Sequence, residues 1–101
     1  MRRGEVWWAD LPAPVGSRPV VILTRNAVLD RLEGVVVALV TRGLPTEVVL
    51  GRHQGLPTRC VANLDNVLTV PRHRLERCMG TCGNDKLTEL NAALKIAFDI
   101  P

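Results

Sequence analysis

Short apolar runs, each ended by glycine, proline or a charged residue, recur along the first 81 residues of the chain. The runs are rich in valine, and several of them end in threonine, a composition that is typical of β-strands. Prolines and glycines between them, as in Leu11–Gly16, indicate loops. The pattern predicts strands at Gly4–Asp10, Pro19–Thr24, Val35–Thr41, Thr46–Leu50, Arg59–Asn63, Val67–Val70 and Cys78–Thr81.

The segments between these runs predict how the strands connect. Asn26–Glu33 has apolar residues at helical spacing after an asparagine that is able to cap, so we expect a short helix or turn there. A Gly-Leu-Pro segment separates the third and fourth strands, and we expect these two strands to pair as a hairpin. Leu64–Asn66 is expected to form a bend between two separate strands.

The hydrophobic period changes after Gly83. Asp85 falls in the first turn of the helix that this new period predicts, where its charge complements the helix dipole, and Gly83 or Asn84 is the expected cap. The apolar positions at helical spacing are Leu87, Leu90, Leu94, Ala97 and Phe98. Many short strands followed by one helix predict a single mainly β (α+β) domain over residues 1–101, built as a small, bent barrel with a C-terminal helix.

The composition of the chain indicates which class of molecule it binds. The chain has 101 residues and a formal net charge of +3, and 11 of its 13 basic residues other than histidine are arginine. Arginine matches phosphate geometry with two hydrogen bonds, so this bias favours a nucleic-acid partner. Only three aromatic residues are present, which disfavours recognition by extensive base stacking. A domain of this size is expected to carry a shallow site, or one shared between subunits.

Other features exclude some classes of protein. No apolar run approaches the roughly 20 residues that span a bilayer, and the N-terminus lacks a signal-peptide core, so we expect a cytoplasmic protein without membrane contact. Neither His53 nor His73 combines with Cys60, Cys78 or Cys82 in a metal-binding spacing, so no metal or other cofactor is expected. The cysteines are interpreted as small, buried or half-buried thiols, with a Cys78–Cys82 redox pair as the alternative.

Arginines at strand ends suggest an anion site. Arg18 follows a loop and precedes Pro19, which favours an extended conformation at Arg18 and so fixes its direction. Arg25 closes the same strand, and Arg42 follows the third one. These three arginines predict a phosphate site at the strand ends. The alternative is a structural role in which Arg18 forms a salt bridge with an aspartate such as Asp10 or Asp65.

Several ordered motifs resemble those of one known family. They are Arg3–Trp7, Gly16–Leu23, Val40–Thr41, Gly43–Val48 and Val61–Asn66, and Leu87–Leu94 is similar to the closing helix of that family. The chain resembles the MazF/PemK-type toxins of type II toxin–antitoxin systems, most of all the mycobacterial-type MazF branch. The resemblance implies an SH3-like barrel of the PemK/CcdB type, a homodimer, and neutralisation by a MazE-like antitoxin that lays a peptide across the RNA groove.

The resemblance also implies an activity: metal-independent, sequence-specific cleavage of single-stranded RNA, with 2′,3′-cyclic phosphate and 5′-hydroxyl ends. Attack by the 2′-hydroxyl requires a proton acceptor, a proton donor and a cation beside the phosphate. Arg18 aligns with the catalytic arginine of the family, and Thr41 aligns with its threonine at the end of the third strand. The sequence leaves the proton acceptor unassigned. The loop before Arg18 is shorter than in many members, which suggests a different RNA-sequence preference.

RNA contacts are predicted at Ser17, Arg25, Arg42, Asn63, Asp65, Asn66 and Trp8. Alternatives stay open for most of this set: the Asn63–Asn66 polar residues also suit a tight turn, and Trp7 and Trp8 also suit packing in the core or a dimer contact. Basic residues at Arg72–Arg77 form either a solvated face or a surface that follows the RNA backbone. His53 and His73 are titratable near neutral pH, although solvated positions are the simpler interpretation.

Two other functions fit the same fold. One is a CcdB-like toxin that poisons DNA gyrase, which is disfavoured because the chain ends at Ile100–Pro101 directly after the helix. The other is an RNA-binding barrel without catalysis.

Overall fold

The computed structural model describes residues 1–43 and 47–101, and within these ranges the chain forms a six-stranded antiparallel sheet and two α-helices. Single-turn 3-10 helices lie at Arg52–Gln54 and Arg72–Arg74. Thr46, where the fourth strand is predicted to begin, lies outside the described ranges. The elements are β1 (Glu5–Ala9), β2 (Arg18–Ile22), α1 (Asn26–Leu29), β3 (Gly34–Thr41), β4 (Val48–Leu50), β5 (Cys60–Pro71), β6 (Leu75–Thr81) and α2 (Gly83–Ala97).

The strand order across the sheet is β4-β5-β3-β2-β1-β6. The predicted hairpin between the third and fourth strands is therefore wrong, because β5 lies between β3 and β4. The reason is the length of β5, which has 12 residues and pairs with the whole of β3. β4 has only three residues, and it pairs with the first residues of β5, from Cys60 to Ala62. β5 therefore takes the position beside β3 that a hairpin would give to β4, because the β3–β5 ladder is longer and forms more hydrogen bonds.

β5 is one continuous strand, where the sequence predicts two strands and a bend. Ala38 on β3 pairs with Val67, but the next residue, Leu39, pairs with Asn63. The three residues Leu64–Asn66 therefore have no partner on β3 and form a bulge. A bulge bends its strand and increases the local twist. The sequence therefore predicts the position of the bend correctly. β5 pairs with β3 both before and after the bulge, and the bulge helps the sheet to curl.

A backbone contact joins the two ends of the curled sheet. The 3-10 helix Arg52–Gln54 and the following Gly55 pack against β6 at Met79 and Gly80. A Cβ atom on Gly55 would lie only 2.6 Å from the carbonyl carbon of Met79. Since no side chain fits between these two backbones, this contact closes the half-barrel.

Two hydrophobic cores lie on the two faces of the sheet, because alternate residues of a strand point to opposite faces. Val21 and Ala38 belong to the core that Leu90 of α2 completes, and Leu90 is fully buried. Val20 and Val37 belong to the other core, which includes Leu29 of α1. Both faces of the central strands are therefore covered.

The helices differ in detail from the sequence-based predictions. α1 is only four residues long, and Asn26 does not cap it; its Oδ1 instead accepts the backbone N–H of Arg3 at 2.7 Å. In α2, Asp85 lies in the first turn as predicted, but Cys82 holds the N-cap position. The helix ends at Ala97, and the side chain of Phe98 is 57% exposed instead of continuing the buried face.

The three cysteines are free thiols in different environments. Cys78 is exposed on β6, Cys60 is half-buried, and Cys82 is buried in the α2 core. Burial raises the pKa of Cys82 to about 11, so its reactive thiolate is scarce at neutral pH. A redox pair between an exposed thiol and a buried, protonated one is not favoured. In the described part of the chain, no helix has the length and apolar character needed to cross a membrane.

Candidate functional site

The start of β2 and the end of β3 lie at the same end of the sheet. Val20 pairs with Leu39 in the antiparallel ladder between these strands. Extending that register by two residues places Arg18 opposite Thr41. Residues that face each other across antiparallel strands share one face, with Cβ atoms about 4.5–5.5 Å apart. The fold thus brings the start of β2, at Arg18, and the end of β3, at Thr41, to the same end of the sheet, although 23 positions separate these residues in the chain.

The Arg18 side chain is held on one side and unpaired on another. Its terminal Nη2 donates a hydrogen bond to the carbonyl oxygen of Val15 at 2.6 Å. Its Nε is buried and has no hydrogen-bond partner among the described residues. A buried N–H without an acceptor costs on the order of 1–3 kcal/mol, so an oxygen of a bound anion there would offset the cost. The guanidinium is therefore positioned to receive a ligand.

A structural salt bridge of Arg18 is not found in the described ranges. The carboxylate of Asp10 lies instead 3.7 Å from Arg74, and it also accepts a hydrogen bond from Ser17 Oγ at 3.0 Å. Asp65 lies at the bulge of β5, beside Glu47 and α2. The salt-bridge interpretation of Arg18 is wrong, because its two suggested partners are engaged or located elsewhere. The hydrogen bond from Ser17 holds the carboxylate of Asp10 beside the start of β2.

The hydroxyl of Thr41 is oriented by the loop that follows it. Its oxygen accepts the backbone N–H of Gly43 at 3.2 Å, and this leaves its own O–H available to donate. The residue is half-buried, and it pairs with Val61 of β5. A hydroxyl held in this way is suited to donate to a phosphate oxygen.

The polar residues of the β5 bulge separate from one another. Asn63 pairs with Leu39, so it shares the face of Arg18 and Thr41. Its Oδ1 accepts the backbone N–H of Asp65 at 3.0 Å, as the turn interpretation predicts. Asp65 lines a depression of about 210 Å³ against α2 together with Glu47. Burial, and secondarily the charge of Asp65, raises the pKa of Glu47.

The other predicted RNA contacts lie in separate places. Arg25 follows the far end of β2, a strand roughly 16 Å long, so the predicted group of three arginines is wrong. Trp8 pairs with Pro19 and therefore lies on the face opposite to that of Arg18. The guanidinium carbon of Arg77 lies 5.3 Å from the centre of the Trp8 ring, a cation–π contact that covers the ring. Asn66 is exposed in the β5 bulge.

Three arginines of the Arg72–Arg77 cluster make contacts within the domain. The guanidinium of Arg72 donates to the carbonyl oxygens of Leu29 and Leu32 at the end of α1. Arg74 and Arg77 contact Asp10 and Trp8, as described above. His73 is exposed at the end of the sheet where Gly34 pairs with Pro71, which is remote from Thr41.

A depression of about 350 Å³ adjoins the Thr41 end of the site. Two arginines, Arg42 and Arg59, lie in its lining. The sequence suggests Arg42 as an RNA contact but assigns Arg59 only to a strand. The complete lining consists of Arg42, Gly43, Thr58, Arg59, Cys60 and Val61. Arg59 is brought here by the pairing of Thr41 with Val61, a contact between distant parts of the chain.

Comparison with known proteins decides the family. A family model described as a PemK-like, MazF-like toxin of type II toxin-antitoxin systems matches residues 2–98. The chain belongs to this MazF/PemK-like toxin family. "Probable endoribonuclease MazF5" of Mycobacterium tuberculosis (strain ATCC 25618 / H37Rv) is 40% identical over 101 residues, covering 96% of this chain and 92% of that protein. "Probable endoribonuclease MazF2" of the same strain is 46% identical over 81 residues, covering 76% and 78%.

Solved structures give the same assignment. The M. tuberculosis toxin MazF-mt6 superposes with a TM-score of 0.86 at 35% identity, covering 96% of this chain and 98% of that one. An endoribonuclease from a mycobacterial species, solved in complex with its cognate antitoxin, gives a TM-score of 0.84 at 29% identity, with 100% and 95% covered. The family, the mycobacterial likeness and the curled mainly β fold of this MazF-like toxin are thereby confirmed.

One signal in the sequence of this MazF-like toxin pointed to the residue that sequence reasoning missed. Arg59 stands directly before the apolar start of β5, as Arg18 stands at the start of β2. An arginine at the start of an apolar strand is the feature that marks Arg18 in the sequence. The same feature marks Arg59.

Proposed function

We propose that this MazF-like toxin is an endoribonuclease that cleaves single-stranded RNA at short sequences without a metal ion. The observation that supports the proposal is the β2–β3 ladder, in which Val20 pairs with Leu39, so that Arg18 and Thr41 each lie two residues beyond the same pair. The curated relatives are named endoribonucleases, and their names support the same activity here. A family match to MazF-like toxins favours RNA cleavage over the gyrase-poisoning alternative.

The proposed reaction forms one bond to phosphorus and breaks one. The 2′-oxygen of a nucleotide attacks its own 3′-phosphorus while its proton passes to a solvent water, and the bond from phosphorus to the 5′-oxygen breaks. The products are a 2′,3′-cyclic phosphate and a 5′-hydroxyl, whose oxygen takes up a proton. Negative charge collects on the non-bridging oxygens during the reaction, so donors aimed at those oxygens lower the barrier.

Arg18 and Thr41 have distinct roles in this scheme. The guanidinium of Arg18 faces the developing charge with its unpartnered Nε–H, and it is also able to donate a proton toward the leaving oxygen. Thr41 donates its O–H to a non-bridging oxygen, since its own lone pair is already occupied by the N–H of Gly43. Both groups are held before substrate arrives, so little reorganisation is needed in the transition state.

We further propose that the toxin is a homodimer in the cytoplasm and is neutralised by a MazE-like antitoxin with an acidic segment. Large apolar side chains at the end of α2 support a protein interface, since Ile96 is 82% exposed, Phe98 57% and Ile100 52%. The sequence pI near 9.1 supports an acidic partner.

Light scattering is expected to give twice the chain mass of 11.1 kDa. A mass of one chain across micromolar concentrations would contradict the dimer.

The test of the activity is incubation of the purified protein with a long mixed-sequence RNA in EDTA, followed by mapping of the ends. Discrete cuts with 5′-hydroxyl ends are expected. Thr41→Val removes the proposed donor at nearly constant volume, and it is expected to lower kcat by about 10²-fold. The matched control is Thr69→Val, which changes an exposed threonine on β5 away from the site. This variant should cleave like the parent protein.

Intact RNA would contradict the proposed activity. If a folded protein bound that RNA without cutting it, the non-catalytic barrel would replace the nuclease. Inhibition of gyrase in the absence of any RNA cleavage would instead identify the CcdB-like function.

A further inference from the structure

Two depressions on the surface of the toxin meet at Arg59. The first adjoins Thr41 and has been described above. The second has a volume of about 380 Å³ and lies along β4 and the 3-10 helix Arg52–Gln54. Both depressions are lined by Arg59, so they adjoin at that side chain and together mark a path across the surface. We name this path the basic track, and its charged or titratable residues are Arg42, Arg59, Arg52, His53 and Lys86.

The basic track has the charge of a polyanion site. Among the described residues, no aspartate or glutamate lines either depression, although Glu47 Oε2 lies 3.1 Å from the position that a Cβ on Gly43 would occupy. Lys86 forms an ion pair with Glu89 at 3.0 Å on the exposed surface of α2. The three exposed arginine side chains make no hydrogen bond or ion pair with any residue in the described ranges; they are Arg42, Arg52 and Arg59. Free guanidinium groups in a row are suited to successive phosphates.

The sheet register connects the basic track to the cleavage site. Val49 pairs with Val61, and Val61 pairs with Thr41. The β2–β3 ladder, extended by two residues beyond Val20 and Leu39, continues this row to Arg18. These four residues form a row on one face of four adjacent strands. The row crosses three interstrand spacings, roughly 14 Å in total. Val61 lines the first depression and Val49 lines the second, so the track follows the row away from Arg18.

The row ends at β4, which is an edge strand of the sheet. There the second depression turns around the edge to reach Lys86 on α2. Arg52 and His53 lie on the 3-10 helix beside it. A bound chain would therefore leave the cleavage site across β3 and β5 and then bend over β4.

We propose that the basic track binds the backbone phosphates of the RNA segment on one side of the scissile phosphate. This inference rests on the proposed function, because that function supplies RNA as the ligand. An extended acidic peptide has the same sign of charge. RNA is favoured because the track is continuous with the cleavage site and because three of its four permanent cations are arginines, which match phosphate with paired hydrogen bonds.

The test measures affinity for a fluorescent single-stranded RNA that is 2′-O-methylated throughout, since such RNA lacks the attacking hydroxyl. The variant Arg52→Gln/Lys86→Gln removes two charges from the track. The variant Arg2→Gln/Arg31→Gln removes two exposed arginine charges elsewhere, and it is the matched control for net charge. Thermal melts followed by circular dichroism establish that both variants are folded.

We expect the track variant to bind about tenfold more weakly than the parent protein near physiological salt, while the control binds like the parent. The slope of log affinity against log salt should fall by about 1.4 in the track variant, since each lost phosphate contact on a single strand is worth about 0.7. Equal affinity of the track and control variants would overturn the proposal.

Two further readouts separate this proposal from its alternatives. If the control variant makes discrete cuts in unmodified RNA while the track variant keeps full affinity, the nuclease is real and the track assignment alone is wrong. If the parent protein neither cuts nor binds RNA, the proposed function fails and the track assignment falls with it. If the track variant loses affinity only for polyglutamate, used as an acidic-peptide probe, the track is a protein-docking surface and the RNA assignment is overturned.

Discussion

Replacing Arg18 by alanine is expected to abolish discrete RNA cuts while leaving the protein folded. A single arginine that stabilises charge in phosphoryl transfer is worth about 10³–10⁵ in kcat, and Arg18 starts β2 at the end of the sheet where β3 ends at Thr41. The structural loss is small, because the side chain makes one hydrogen bond, to the Val15 carbonyl, worth about 1 kcal/mol. Activity and stability should therefore separate in this variant.

The decisive measurement is a single-turnover rate at one mapped cut site, with urea unfolding of the same preparation. Arg18→Lys keeps the charge and loses the planar fork, so its rate is expected to lie between those of the parent and Arg18→Ala. Arg31→Ala, which removes an exposed arginine two residues after α1, is the matched control and should cut at the parental rate. Cleavage by Arg18→Ala within threefold of the parent would rule out the catalytic role.

Replacing Gly55 by alanine is expected to destabilise the fold by about 3 kcal/mol or more, because two penalties combine at this position. Gly55 has a φ of +88°, a conformation that favours glycine. Its added Cβ would also lie 2.6 Å from the Met79 carbonyl carbon and 3.0 Å from the Gly80 nitrogen, which are backbone atoms of β6. The closure of the half-barrel would have to open to accommodate the methyl group.

Urea unfolding of three further glycine variants resolves these two penalties. Gly80→Ala meets the same contact from β6, with a Cβ 2.6 Å from the Gln54 carbonyl carbon, but without a positive φ. Gly83→Ala has a φ of +73° and open space, so it should cost only about 1–2 kcal/mol. Gly51→Ala has space and an extended backbone, and it should be nearly neutral. A Gly55→Ala protein as stable as Gly51→Ala would contradict the closure by backbone contact.

Local sequence signals predicted the parts of the site that depend on strand ends. Arg18 and Thr41 stand where apolar runs begin and stop, and the structure has strand boundaries at both residues. The same signals could have excluded Arg25, since it follows the strand that Arg18 starts, and the two ends of one strand lie apart. Arg18 and Arg42, by contrast, stand at the strand ends that meet at one end of the sheet, where β2 begins and β3 stops.

Pairing between distant segments could not be predicted in this way. The hairpin expected between β3 and β4 failed because β5, which comes later in the chain, offers β3 a longer partner. Arg59 reaches the site only through that pairing. The contact of Gly55 with β6 likewise depends on the curl of the whole sheet, and a glycine in a polar turn gives no local sign of it.

The bulge at Leu64–Asn66 divides β5 into two parts that contact different regions of the protein. The part before the bulge, from Cys60 to Asn63, pairs with the end of β3 and lines the first depression, and the part after it, from Val67 to Pro71, pairs with the first half of β3. Because three unpaired residues separate these parts, a change in one is partly insulated from the other. Toxins of this kind can therefore diversify the RNA sequence that they cut while inheriting an unaltered scaffold.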